Sequence, residues 1–260
     1  MKILAFFAHP DDETMLAGGI LALLARHGAH VNYLCATRGE GGEVGEPPLC
    51  TQDKLGELRE KELACAVQAL GGQSLDFLGY IDPLVGENGE LGAYTSGLTF
   101  LADQVATIIH KRQPEALLTH GSSGEYGHPG HVLTFQAALE AVRLLGNAAP
   151  GVYTVQADFP EHPKPRLSNK DDPAQIIIDV TSVLEDKIRA AMCHRTQHAL
   201  FIRRTSEMLG RPTTVPEVVT RVESLHRTHP PYNQSVGKHE PLDPLFELLL
   251  ATGAAWRASL

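Results

Sequence analysis

Cysteine is scarce in this chain. The four in 260 residues stand at Cys35, Cys50, Cys65 and Cys193. None forms a C-x-x-C pair, which argues against a zinc ribbon or a thioredoxin-type motif. So few cysteines in so long a chain fit a reducing, cytoplasmic setting. Long apolar runs are missing too. The first, residues 3–8, gives way directly to His9-Pro10-Asp11-Asp12-Glu13. It is too short for a signal-peptide core, and no later stretch approaches the roughly 18 apolar residues that a membrane helix needs. Positive charge is in deficit: 22 Lys and Arg against 31 Asp and Glu leave a net charge of −9. Phosphate contacts need clustered Lys and Arg, so a general nucleic-acid or membrane-surface binder is not expected. A soluble cytoplasmic protein with no nucleic-acid or membrane partner is.

Hydrophobic residues make up 43% of the chain. At this length they can build a substantial core without disulfide staples. Disordered, collagen-like and disulfide-scaffold classes are excluded. Residues 3–8, 30–37, 75–80, 116–119, 152–157 and 176–180 read as strands, and 15–27, 54–70, 98–112, 131–145 and 183–200 as helices. This alternation predicts an α/β, Rossmann-like fold, with a mostly parallel sheet and helices on both faces. Ligands in such sheets bind at the carboxyl ends of the strands. The Pro- and charge-rich stretch 159–173 reads as an excursion on one domain. The expectation is a single domain, 1–260, with a core of about 1–200 and an irregular C-terminal extension of about 201–260.

Two clusters carry chemistry. After the first strand, His9 and Asp12 offer an imidazole nitrogen and a carboxylate oxygen, both ordinary zinc ligands. Asp11 stands beside them as a spare carboxylate. The competing reading is an acidic helix N-terminus favoured by the helix dipole. The run from His120 to His131 after the fourth strand brings three histidines, His120, His128 and His131, within twelve residues. A catalytic zinc usually has three protein ligands and one open position, so this cluster can supply the third ligand. Alone, these are loop histidines. Two clusters converging on one sheet edge argue for a metal site.

The A-H-P-D-D-E run after the first strand, T-R-G-E after the second and G-H-P-x-H after the fourth resemble the LmbE/PIG-L-type zinc-dependent N-acetylglucosaminyl deacetylases. The resemblance covers roughly residues 1–200 in order and spacing. It implies zinc ligands His9, Asp12 and His131, with Asp11 as general base. It also implies that His128 stabilises the oxyanion or protonates the leaving amine. Zinc would activate water and polarise the amide carbonyl. Iron(II) fits a His/Asp/His set nearly as well. The family commonly reads H-P-D-H, the Asp orienting the first His; here Gly130 holds that position.

The resemblance also implies substrate contacts at Arg38, Glu40, Arg59, Asp82, Tyr126 and His194. Each has a plainer reading: a surface pair for Arg38 and Glu40, a helix ion pair for Arg59 with Glu62, a turn for Asp82, a loop aromatic for Tyr126, and a satisfied buried imidazole for His194. Lys187, His194 and Gln197 fit the family's late K…H-x-[ST]-Q pattern. His226 and His229 match no family ligand and read as exposed, and Cys35 reads as core. The function implied is removal of the N-acetyl group from a GlcNAc-containing small molecule. The stretch from Gly42 to Leu63 resembles members acting on GlcNAc-malate in bacillithiol synthesis. A small-molecule N-acetylated amino sugar is the expected partner. Members are often oligomers; the resemblance leaves a homo-oligomer open, and this sequence does not fix the state. The alternatives are a metal-bound sugar-binding protein with little catalysis and an amidase acting on a related thiol conjugate. A nucleotide-binding Rossmann protein would show G-x-G-x-x-G after the first strand, and a serine hydrolase G-x-S-x-G; neither is present.

Overall fold

The first strand, β1 (Lys2–Phe7), is buried on both faces because its side chains alternate between two cores. Ile3, Ala5 and Phe7 enter one core, and Leu4 and Phe6 the other. The computed structural model describes residues 1–231 and 243–258. Helix α1 (Asp12–Arg26), β2 (His30–Thr37), α2 (Leu55–Ala69) and β3 (Ser74–Tyr80) follow, then α3 (Leu98–Arg112) and β4 (Ala116–Thr119). A short turn of helix, α4 (Gly124–Gly127), leads into α5 (Pro129–Leu145) and β5 (Gly151–Val155). These five long strands run parallel, in the order β5-β4-β1-β2-β3. Leu16, Ile20 and Leu24 of α1 and Leu63 and Val67 of α2 cover one face; Leu101 and Val105 of α3 and Ala137 and Ala141 of α5 cover the other. The α/β arrangement is the one the alternation predicts.

The excursion is framed by β6 (Ala157–Asp158) and β7 (Asn169–Pro173), which pair as a small second sheet. Next come β8 (Ile176–Asp179), α6 (Leu184–Cys193), α7 (His198–Leu209), α8 (Val215–Val218), β9 (Val222–His229), α9 (Pro244–Ala251) and β10 (Ala255–Arg257). Among the described residues no helix is long and apolar enough to cross a membrane.

Several expectations are corrected here. The C-terminal part is not a peripheral irregular extension, because β9 lies inside the main sheet, antiparallel to both β5 and β8. Its sequence concealed this because Glu223 is fully buried with a partner from elsewhere, Lys187 at 2.6 Å. Glu223 also accepts the Gly19 and Ile20 N–H groups of α1. His226 and His229 accordingly belong to a strand and are half-buried rather than exposed. His226 Nδ1 lies 2.8 Å from the Pro173 carbonyl, while residues 232–242 lie outside the described residues. The helix expected over 183–200 is two helices, broken at His194–Gln197, where the buried His194 turns its ring toward α1 and the Thr196 N–H donates to Glu62. The cysteines also differ from a set of reduced thiols: Cys65 of α2 and Cys193 of α6 form a disulfide. Cys35 is buried as expected.

Candidate metal centre and active site

Strands β1 and β4 are parallel neighbours, with Phe6 opposite Thr119. The sheet order reverses at β1, since β2 lies on its other side, and that reversal opens a crevice at the carboxyl edge. His9 follows one strand and His120 the other. Asp12 opens α1, and His128 is the N-cap of α5. Four histidines and an aspartate therefore meet at one edge, and all of them are buried.

Asp12 faces three imidazoles, with His120 Nε2 3.4 Å from its Oδ2. Its Oδ2 is 3.3 Å from His9 Nδ1 and its Oδ1 is 3.3 Å from His131 Nε2. His9 Nε2 lies 3.1 Å from Asp82 Oδ1, yet has no aligned hydrogen-bond partner. Burial opposes charge on His9, but Asp12 and Asp82 together push its pKa up to about 9. Burial likewise opposes ionisation of Asp12, and His131 and His120 overcome it, holding the carboxyl well below its usual range. The carboxylates thus call for positive charge at this point, which a proton or a metal ion can supply.

Two overlapping sets bring ligand atoms within 4.8 Å of one another: His9, His128 and His131; and Asp12, His120 and His131. His120 is a poor ligand. Its Nε2 accepts the Ala8 N–H at 3.0 Å and its Nδ1 faces Glu125 at 3.0 Å, so no lone pair is free. His9, Asp12 and His131 retain donor atoms facing one another, with His128 beside them. This set of imidazoles and one carboxylate suits a divalent ion of the zinc type.

Asp11 sits beside this set with a left-handed backbone, φ 117°. The Glu13 carboxylate accepts its N–H at 2.9 Å, and Arg59 Nη2 lies 3.2 Å from its Oδ2. Burial raises the Asp11 pKa to about 6 in spite of Arg59. His128 is held differently from an imidazole paired with an acid. Its Nδ1 accepts the Gly130 N–H at 3.1 Å, which makes the ring neutral with its proton on Nε2. Burial, then His131 and His9, lower its pKa to about 3.

The remaining expected contacts divide into a mouth and a back wall. At the mouth, Tyr126 is half exposed and packs edge-on to His128 and His131, with ring centroids 5.7 and 5.6 Å away. Asp82 touches His9, and the Glu40 carboxylate accepts the Asp82 N–H at 3.1 Å. Arg38 is exposed and turns to Glu60 at 3.0 Å. Behind the site, Arg59 is buried, its guanidinium engaged by the Pro10 and Gly39 carbonyls and Asp11. His194 is wholly buried and lies 3.0 Å from Glu13 Oε1. Lys187 and Gln197 serve the scaffold, on Glu223 and the Glu43 carbonyl respectively.

Three residues without a role in the sequence reading appear around the site, Glu13, Glu125 and Asn169, while His120, a candidate ligand there, is engaged by Ala8 and Glu125. Glu125 stood within the second cluster, directly before Tyr126. Asn169 comes from the excursion, 44 residues further on, where no local pattern marks it.

Fold and site together define an α/β protein with a buried His/Asp cluster able to hold a metal at the switch point of its sheet. The chain belongs to the GlcNAc-PI de-N-acetylase (PIG-L) family, whose pattern it matches over residues 4–142. It is 33% identical to a 1D-myo-inositol 2-acetamido-2-deoxy-alpha-D-glucopyranoside deacetylase from Catenulispora acidiphila, over 57% of this chain and 50% of the relative. It is 30% identical to the enzyme of the same name from Kineococcus radiotolerans, over 88% and 77%. The matched region spans about half the length of several such curated relatives. Among solved structures, the fold is similar to N,N'-diacetylchitobiose deacetylase from Pyrococcus horikoshii (TM-score 0.60, 22% identity, 87% of this chain and 83% of that one). It is equally similar to a 4-carboxy-2-hydroxymuconate hydratase from Pseudomonas putida (TM-score 0.59, 22%, 90% and 99%). The fold alone therefore does not select a reaction.

Proposed function

We propose that the chain is a metal-dependent deacetylase that hydrolyses the N-acetyl group of a GlcNAc-containing small molecule, releasing acetate and a free amine. The observation that carries this reading is the convergence of His9, Asp12, His128 and His131, with the carboxylate of Asp11 beside them. His9, Asp12 and His131 would hold the cation, zinc by preference and iron(II) as the alternative. When bound, such an ion supplies a Lewis acid and lowers the pKa of water.

The chain's own residues do the rest. Asp11 accepts a proton from the attacking water; a carboxyl raised to about 6 is ionised at neutral pH yet basic enough for the task. The neutral His128 donates its Nε2 proton as a hydrogen bond to the oxyanion that develops from the amide carbonyl. Asp11 then delivers its proton to the departing amine, because the neutral His128 has no acidic proton to give. Asp82, Glu40 and Tyr126 stand where sugar hydroxyls would meet the protein, with Arg38 further out. Arg59 and His194 fix Asp11 from behind.

The relatives favour an inositol glycoside as substrate. The expectation of GlcNAc-malate finds no support among them, and a 2-acetamido-2-deoxyglucoside of a polyol takes its place. The test is acetate release from GlcNAc-inositol by zinc-loaded protein, by chelated protein and by Asp11→Asn. Release confined to the zinc-loaded wild type supports the reading. Release that survives chelation, or is absent from every metal-loaded sample, contradicts it.

A further inference from the structure

The carboxylate of Glu125 is fully buried and every oxygen is used. Its Oε2 lies 2.6 Å from His131 Nδ1 and 3.0 Å from His120 Nδ1. Its Oε1 accepts the Gly121 N–H at 3.0 Å and faces Asn169 Nδ2 at 3.3 Å. Asn169 also accepts the Glu125 N–H through Oδ1, at 3.0 Å. One asparagine thus grips both the backbone and the side chain of one glutamate.

Two local costs accompany this grip. Glu125 has φ 59° and ψ −67°, a conformation that residues with a side chain rarely adopt. Gly121 has no side chain, and a Cβ there would overlap the Asn169 amide. Strain of this kind persists where surrounding contacts over-determine it, and it clusters at functional sites. What the arrangement secures is the far edge of His131. With Nδ1–H committed to Glu125, the lone pair stays on Nε2, the atom that faces Asp12 at 3.3 Å. His120 completes the clamp by stacking on His131, with centroids 3.9 Å apart and planes 19° apart. Its own tautomer is fixed, since the Ala8 N–H occupies Nε2.

We propose that Glu125, itself fixed by Asn169, is the positioning residue of the metal site, setting the tautomer and plane of His131 so that Nε2 is presented to the cation. This rests on the metal-binding part of the reading above and not on the identity of the substrate. A purely structural Glu125 would affect folding and leave the metal affinity of any folded variant unchanged.

The experiment is a zinc titration of apo full-length protein against a chromogenic chelator, for wild type, Glu125→Gln and Glu125→Asp. Circular dichroism and thermal melts of the apo proteins report the fold. Gln cannot serve both sides: an amide oxygen turned to the histidines leaves its NH2 against the Gly121 N–H and the Asn169 NH2. Asp keeps the charge and tolerates positive φ better, so the fold should survive, but its carboxylate is one methylene short of His131. Both variants should bind zinc about 10- to 100-fold more weakly than wild type. A folded variant with wild-type zinc affinity overturns the inference. A second measurement needs no variant: nitrogen NMR of zinc-loaded wild type should show His131 protonated at Nδ1, and a His131 lacking that proton also overturns it. Wild type that binds zinc but releases no acetate would count against the deacetylase reading alone.

Discussion

The Gly130 N–H donates to His128 Nδ1 at 3.1 Å. A backbone amide thus holds this ring edge, and no carboxylate stands at position 130. An N–H donor requires an unprotonated Nδ1. His128 is therefore expected to be neutral throughout the working pH range. Long-range nitrogen NMR at pH 7 should show one ring proton, on Nε2; a doubly protonated ring would contradict this.

Gly130 also marks a close approach. A Cβ there would lie 3.2 Å from His128 Nδ1 and 3.2 Å from two atoms of the His9 ring. Gly130→Ala should keep the fold and lower kcat/KM by roughly 2- to 10-fold, the cost of pushing a ring off its rotamer. Gly130→Asp adds the same crowding and an acceptor, and should move His128 toward the cation. Its pH profile should then gain an ionisation that the wild type lacks. Identical kinetics and pH profiles for wild type and Gly130→Asp would show that position 130 does not govern His128.

As the proposed general base, Asp11 would set the acid limb of the pH profile. Its pKa is raised to about 6 by burial and held from rising further by Arg59. A bound cation would pull in the same direction as Arg59. kcat/KM should therefore fall as pH drops, with an apparent pKa at or below about 6. Removing the guanidinium with Arg59→Gln should move that limb to higher pH while metal content stays at wild-type level. A limb that moves to lower pH would exclude Asp11 as its source.

His194 separates a substrate contact from a positioning role. It is wholly buried against Glu13, which in turn accepts the Asp11 N–H. His194→Gln should lower kcat with little change in KM, and cost on the order of 1–3 kcal/mol of stability through a less well satisfied carboxylate. A large rise in KM at unchanged kcat would instead make it a sugar ligand.

The disulfide between Cys65 and Cys193 bridges 128 residues. Protein purified without reductant should show two alkylatable thiols after unfolding, Cys35 and Cys50, and four after reduction. Reduction should cost about 2–5 kcal/mol of stability. Four free thiols before reduction would contradict the pairing.

The strands and the two polar clusters were legible because they depend on local patterns: an unbroken apolar run reads as a buried strand, and His9 through Glu13 directly follows one. The rest depends on residues distant in sequence. Strand β9 was hidden because Glu223 makes it look amphipathic, and Lys187, 36 residues earlier in the chain, neutralises it. Arg59 and His194 could be recognised as site residues, but their depth could not. Whether a guanidinium faces the cleft or the Pro10 and Gly39 carbonyls is decided by how α2 packs, not by its own sequence. Asn169 reached the site from a stretch whose composition suggests only a loop.

The most direct test of the account compares acetate release by zinc-loaded wild type and zinc-loaded Asp11→Asn, with metal content measured on the same samples. GlcNAc-inositol and GlcNAc-malate are the two substrates. The account predicts equal zinc in both proteins, faster release from GlcNAc-inositol by the wild type, and a loss of about 100-fold or more in Asp11→Asn. Equal turnover by the two proteins, or zinc-loaded wild type inert toward both substrates, would contradict it.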